Sequence, residues 1–193
     1  IPYNSKTDNF EILSKSLIYD STRNKLILND VILELKKNKK VIIITERKEH
    51  IDSLCQYLKR QYEVITLSGN DNDASRNIKW QKLKEGEYQI LITTGQLLGE
   101  GTDLQNAETL FLVYPFSFHG KLIQYIGRVQ RMKLNPTIYD YRDYQIKYLD
   151  NLFLKRNAYY KKISKTISLF DHTVFQKDKQ NIIIDRIVKV SIQ

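Results

Sequence analysis

The chain has 193 residues, 41% of them hydrophobic and 27% charged, the profile of a soluble globular protein with one well-cored domain and at most a small appendage. No apolar run nears the roughly 18 residues that span a bilayer, a single cysteine excludes an internal disulfide framework and fits the reducing cytoplasm, and His50, His119 and His172 form no metal-ligand spacing. A formal net charge of +9 favours polyanionic partners, because each Lys or Arg that neutralises a phosphate releases counterions. The opening IPYNSKTDNF has neither an initiator Met nor a signal-peptide pattern and reads as a cut from a longer chain.

In chain order, residues 1–20 read as a junction with a preceding domain. RNKLILNDVILELKKN then has helical period, with Leu28, Val31 and Leu35 on one face. KVIIIT (40–45) is a continuous β-branched run, as expected of a strand buried on both sides. EHIDSLCQYLKRQ returns to helical period and sets Cys55 beside Ile51, Leu54 and Leu58 as a core residue. EVITLSG (63–69) is a strand entering a turn, and DASRNIKWQKLKEG (73–86) is a helix with an Asp N-cap, a Gly stop and Ile78, Trp80 or Leu83 inside. QILITT (89–94), TLFLVYP (109–115) and TIYDY (137–141) are further strands. Strands alternating with helices imply a parallel α/β sheet flanked by helices on both faces, over residues 21–145. Residues 146–193 form a C-terminal extension. YQIKYLDNLFLKRNAYYKKISKTI reads as one basic, aromatic helix lying on the sheet, and the tail alternates like a strand with Val188, Val190 and Ile192 on one side.

Ligands of open α/β sheets meet the loops at the carboxyl ends of strands. Three such loops carry the candidate chemistry: ERKEH, GQLLGEGTDLQNAE, and FSFHGKLIQYIGRVQR. Projected as a helix, the last buries Leu122, Ile126 and Val129 and gathers Gln124, Arg128 and Arg131 within a sector of about 60°. Two neighbouring arginines without an acid one turn away repel unless an anion lies between them, and a guanidinium fork matches phosphate. A solvated basic helix face is the plainer reading of the same eight residues. Gly127 inside this helix costs about 1 kcal/mol relative to Ala, which suits a close approach of backbone or ligand. In GEGTD, Gly101 permits a tight turn and Asp103 could accept from a ribose hydroxyl, or simply cap the turn. Thr93 and Thr94, at a strand end, could donate to phosphates or simply fill a strand.

Taken together, these segments resemble the second RecA-like domain, of P-loop NTPase type, of superfamily 2 DEAD/DEAH-type helicases and translocases. KVIIITERKEHIDSL looks like motif IV, ILITTGQLLGEGTDLQ like motif V, and QYIGRVQR like motif VI in the form Q-x-x-G-R-x-x-R. DYRDY and the basic helix after it look most like the double-stranded-DNA translocase branch of excision-repair helicases and restriction subunits. The resemblance implies that Arg131, as arginine finger, and Arg128 contact the γ-phosphate of ATP, that Gln124 orients the site, that Gly101 and Gly127 lie at the nucleotide, and that Asp103 faces the ribose or couples ATP to the nucleic-acid site. It implies that Thr45, Arg47, Thr93 and Thr94 touch a nucleic-acid backbone, DNA in the first instance and RNA as the alternative.

The departures from the family's complete motor matter as much. The only Gly-Lys pair, Gly120–Lys121, precedes Leu122 and has Pro115 where a phosphate loop needs its first glycine, and no Asp-Glu dipeptide occurs. ATP and Mg²⁺ are therefore expected to be held mainly by an N-terminal RecA-like domain of the same chain, leaving this piece without ATPase activity of its own. No membrane partner is expected, and the isolated piece could dimerise. The competing reading is a degenerate RecA-like module that binds nucleic acid or scaffolds a partner without catalysis.

Overall fold

A computed structural model of the chain describes residues 9–99, 104, 107–116, 119–130, 136–163, 166–171 and 186–191. The helices are α1 (Phe10–Ile18), α2 (Ser21–Leu35), α3 (Lys48–Leu58), α4 (Asp73–Glu85), α5 (Gly95–Gly99), α6 (His119–Gln130) and α7 (Lys147–Ile163). The strands are β1 (Lys40–Thr45), β2 (Val64–Leu67), β3 (Ile90–Thr94), β4 (Ala107–Leu112), β5 (Thr137–Arg142), β6 (Thr166–Asp171) and β7 (Arg186–Ser191). They form one sheet in the order β2-β3-β1-β4-β5-β7-β6. The first five are parallel, and β7 runs antiparallel to both β5 and β6.

The alternation of β1 shows why its sequence is apolar throughout. Ile42 and Ile44 enter a core closed by α5, α6 and α7, while Val41 and Ile43 enter a second core closed by α2 and α3. A strand covered on both faces has no solvent side on which to carry polar residues. In α2 the expected stripe of Leu28, Val31 and Leu35 is buried, as are Ile51, Leu54 and Leu58 of α3, with Cys55 partly buried beside them.

Local chemistry sets the helix ends. Asp20 accepts from the Arg23 amide at the start of α2, and Gly86 stops α4 at φ 74°, a left-handed conformation that favours glycine. The α4 cap differs from the expected one: Asn72, in extended conformation, accepts from the Ser75 amide, and Asp73 falls in the first turn. Of the three apolar residues offered as alternatives for the inner face of α4, Leu83 is the buried one; Trp80 packs at the margin and Ile78 is exposed.

At the C-terminal end the expected single helix through Ile167 is corrected. It stops at Ile163, and Thr166–Asp171 becomes β6, paired with β7 along six residues. The β-branched Thr166 and Ile167 suit a pleated surface, and β7 offers them a full row of backbone partners. The strand expected in the tail is present as β7, with Val188 and Val190 opposite Asp140 and Ile138 of β5. The region read as a junction also has structure: Leu13 and Leu17 of α1 pack against Ile146, Leu149 and Leu152 at the start of α7.

Two buried arginines tie these layers to the loop that leads into α6. Arg23 donates to both carboxylate oxygens of Asp143 and, at 2.8 Å, to the Val113 carbonyl. Arg156 donates to both oxygens of Asp140, at 2.7 and 2.9 Å, and to the Phe116 carbonyl, while the Tyr160 hydroxyl donates to the same carboxylate. Burial would favour a neutral guanidinium, but the Asp140 carboxylate prevails and raises the Arg156 pKa. Both aspartates come from DYRDY, so this segment fixes the segment that launches α6.

Candidate functional site

β3, β1 and β4 are neighbours in the sheet, so the three candidate loops meet along one edge. The β1 loop contributes Glu46 and Arg47. Glu46 accepts from the Tyr125 hydroxyl at 2.9 Å and from the Lys121 ammonium at 3.2 Å, both on α6. The β3 loop contributes Gly95, where a Cβ would overlap the Tyr125 ring. Burial, and then the Glu46 carboxylate, push the Tyr125 phenol up, so it stays protonated and donates. Glu46, Gly95 and Tyr125 thus join the segments that resemble motifs IV, V and VI.

Behind Glu46 runs a neutral, buried hydrogen-bond chain. The Asn24 amide nitrogen donates to the Ile18 carbonyl, leaving its oxygen to accept from His50 Nε2 at 3.0 Å. His50 Nδ1 is then an acceptor and takes the Thr45 hydroxyl at 3.1 Å. The Arg47 amide in turn donates to Thr45 Oγ1. Burial, and secondarily the Arg23 charge, lower the His50 pKa to about 3, which keeps the ring neutral.

This geometry sorts the expected site residues. Gln124 is exposed on α6 while Leu122, Tyr125 and Ile126 are buried. Arg128 lies one turn beyond Gln124 on the same helix. Gly127 has nothing within 4 Å of a Cβ among the described residues; the close approach required by the chain itself occurs at Gly95 instead. Gly101, Asp103 and Arg131 lie outside the described residues.

Thr45 and Thr93 are both fully buried, Thr45 engaged with His50 and Thr93 donating to the Thr94 carbonyl. Thr94 and Arg47 are partly exposed. The Tyr114 hydroxyl beside Arg47 raises the pKa of its guanidinium. Arg47, Lys121 and Glu46 share the mouth of a cleft of about 380 Å³ whose walls include Tyr114, Phe116 and Tyr148. Among the described residues, no group of three or more His, Cys, Asp or Glu side chains is placed to hold a metal ion.

Sequence reasoning had passed over Glu46, Gly95, Tyr125 and His50. Gly95 and Glu46 each follow directly on a strand end, and Tyr125 lies on the buried face of the α6 projection. Those positions were visible, but the pairing across segments separated by 79 residues was not.

Five parallel strands covered by helices on both faces, with α6 exposing Gln124 near the carboxyl ends of the central ones, form a RecA-like α/β domain. The family model described as "Helicase conserved C-terminal domain" matches residues 23–133, and the chain belongs to that family. It is 29% identical over 136 residues to the putative ATP-dependent helicase IRC3 of Saccharomyces cerevisiae, covering 66% of this chain and 19% of IRC3. It is 31% identical over 97 residues to the pre-mRNA-splicing ATP-dependent RNA helicase PRP28 of Candida glabrata, covering 50% of this chain and 16% of that protein. The chain thus spans less than a fifth of the length of either relative.

Solved structures agree in fold. T4 UvsW superposes with a TM-score of 0.61 at 20% identity, over 81% of this chain and 36% of that one. The Saccharomyces cerevisiae Dbp5 C-terminal domain, bound to Gle1 and IP6, gives 0.53 at 22% identity over 72% of this chain and 80% of that one.

Proposed function

We propose that the chain is the C-terminal motor domain of an ATP-dependent DNA helicase or translocase, holding one wall of an ATP site completed by a second RecA-like domain. The observation that carries this reading is α6. It is anchored on its inner side by Leu122, Tyr125 and Ile126 and turns Gln124 outward, one turn before Arg128 in the Q-x-x-G-R-x-x-R segment.

On this reading Arg131 and Arg128 hold the γ-phosphate, with Arg131 the finger, and Gln124 orients it. Gly101 and Asp103 face the ribose, and Gly127 leaves room beside the nucleotide. The residues present fit that one wall. They supply no phosphate loop and no acidic box, so Mg²⁺ and most of the nucleotide's contacts belong to the other domain. When bound, ATP supplies the phosphoryl-transfer chemistry; this domain contributes charge and position. The track is formed by Arg47 and Thr94, with backbone rather than hydroxyl groups acting at Thr45 and Thr93. The net charge of +9 supports a polyanionic track. RNA is the second reading, favoured by the resemblance to PRP28, which is named an RNA helicase.

The test is ATP turnover by the full-length protein with duplex DNA or RNA as activator. Arg131→Ala should lower turnover by about 10³-fold or more while nucleotide binding persists. Unchanged turnover would remove the finger role, and activation by RNA alone would replace DNA as the track. Robust turnover by this chain alone would overturn the divided site.

A further inference from the structure

A second concavity lies away from the candidate site. It is a groove of about 640 Å³ between α2 and α3, whose helices cover the sheet face opposite α6. Its volume falls within the roughly 300–1,000 Å³ of small-ligand sites.

Three features of its lining point to one ligand chemistry. Tyr19, Tyr57 and Tyr62 contribute aromatic rings, and Tyr19 and Tyr57 are more than 60% exposed, a large apolar surface to leave in water. Lys25 and Arg60 supply positive charge, no carboxylate lines the groove, and neither cation forms an ion pair among the described residues. Asn29 and Gln61 add exposed amides that can both donate and accept. Part of the wall is preset, because Asn24 is held by the Ile18 carbonyl and His50.

Rings for a planar base, amides for its edge and cations for a phosphate form the combination that binds nucleotide units. An acidic helix fits less well. Such a partner needs an unbroken apolar row at helical spacing, and here Asn24, Lys25 and Asn29 interrupt Leu28 and Ile32 along α2.

We propose that the α2–α3 groove is a second nucleotide-binding site. Tyr57, Tyr19 and Tyr62 take the base, and Lys25 and Arg60 take the phosphate. The occupant is either a free nucleoside monophosphate or one nucleotide of a strand; both present the same chemistry. The site is independent of the ATP-dependent reading, since it uses none of the residues assigned to α6 or to the loops at the carboxyl ends of the strands.

The experiment titrates this chain with fluorescently labelled adenosine monophosphate and, separately, with a short labelled oligothymidylate. Backbone amide shifts identify which helices respond. The exposed pair Tyr57→Ala and Arg60→Glu should weaken binding about tenfold or more, the scale of losing one stacked base. Arg47→Ala, on the candidate track, should leave the mononucleotide unaffected. Saturable mononucleotide binding with shifts in α2 and α3 establishes a free-nucleotide site. If only the oligomer binds there, in a protein already carrying Arg47→Ala, the site holds a strand. The proposal is overturned if neither probe shifts α2 and α3, if the double variant binds as the parent does, or if polyglutamate displaces the nucleotide at equal charge concentration.

Discussion

The carboxyl ends of β5 and β1 both bury polar side chains, but by opposite means. Around β5 the groups are charged: Asp140 and Asp143 meet Arg156 and Arg23, and each arginine also holds a carbonyl of the segment before α6. Behind β1 they are neutral: Asn24, His50 and Thr45 pass hydrogen bonds to the Arg47 amide. Buried ion pairs add little net stability over apolar packing, yet breaking one strands a charge in a low dielectric. A neutral chain avoids that penalty and is sensitive to protonation instead. The two ends should therefore fail under different stresses, one under substitution and the other under acid.

The largest expected effect is at β5. Arg156→Met should cost about 3–5 kcal/mol in urea unfolding by leaving Asp140 unpaired. Adding Asp140→Leu should recover much of the loss, and no recovery would mean that Arg156 acts through packing. Next comes the junction of the candidate loops. Gly95→Ala drives a methyl into the Tyr125 ring and should cost about 3 kcal/mol, the upper range for overpacking. Tyr125→Ala in the same chain should relieve that clash, which thermal melts of the single and double variants can read.

At β1 the effect is a pH dependence. The folded His50 pKa is about 3 against 6.5 for an ordinary imidazole, so the unfolded chain takes up a proton that the folded chain refuses. Stability is full above 6.5 and falls as pH drops through the window down to about 3, by about 1.4 kcal/mol per unit. His50→Gln can keep both hydrogen bonds without titrating, and should flatten the melting temperature between about pH 6.5 and pH 5. An unchanged slope would place the titration elsewhere. The smallest effect belongs to an exposed pair. Removing Lys15, which bridges Glu11 on the surface of α1, should change stability by less than about 0.5 kcal/mol.

Much of the fold was legible because it rests on local signals. KVIIIT could only be a strand covered twice, Gly86 had to end a helix, and the α6 projection separated Leu122 and Ile126 from Gln124. What could not be read was pairing at a distance. Thr45 and Thr93 sit near strand ends, yet their burial is not a local property: His50 comes back from α3 to meet the Thr45 hydroxyl. DYRDY looked like a mark of a translocase branch. Its aspartates also bind arginines 120 residues upstream and 16 residues downstream, which no short window contains. The exchange of helix for strand at Thr166 has the same origin: the segment could be either, and β7 decides.

The order β5-β7-β6 also constrains when the sheet can be finished. β6 is made first, yet it reaches the sheet only through β7, and β5 keeps an open edge until β7 arrives. During synthesis the growing chain therefore carries an unpaired strand, together with a receptive edge that the same strand could occupy out of turn. A delay in producing β7 leaves both open to pairing with the wrong neighbour.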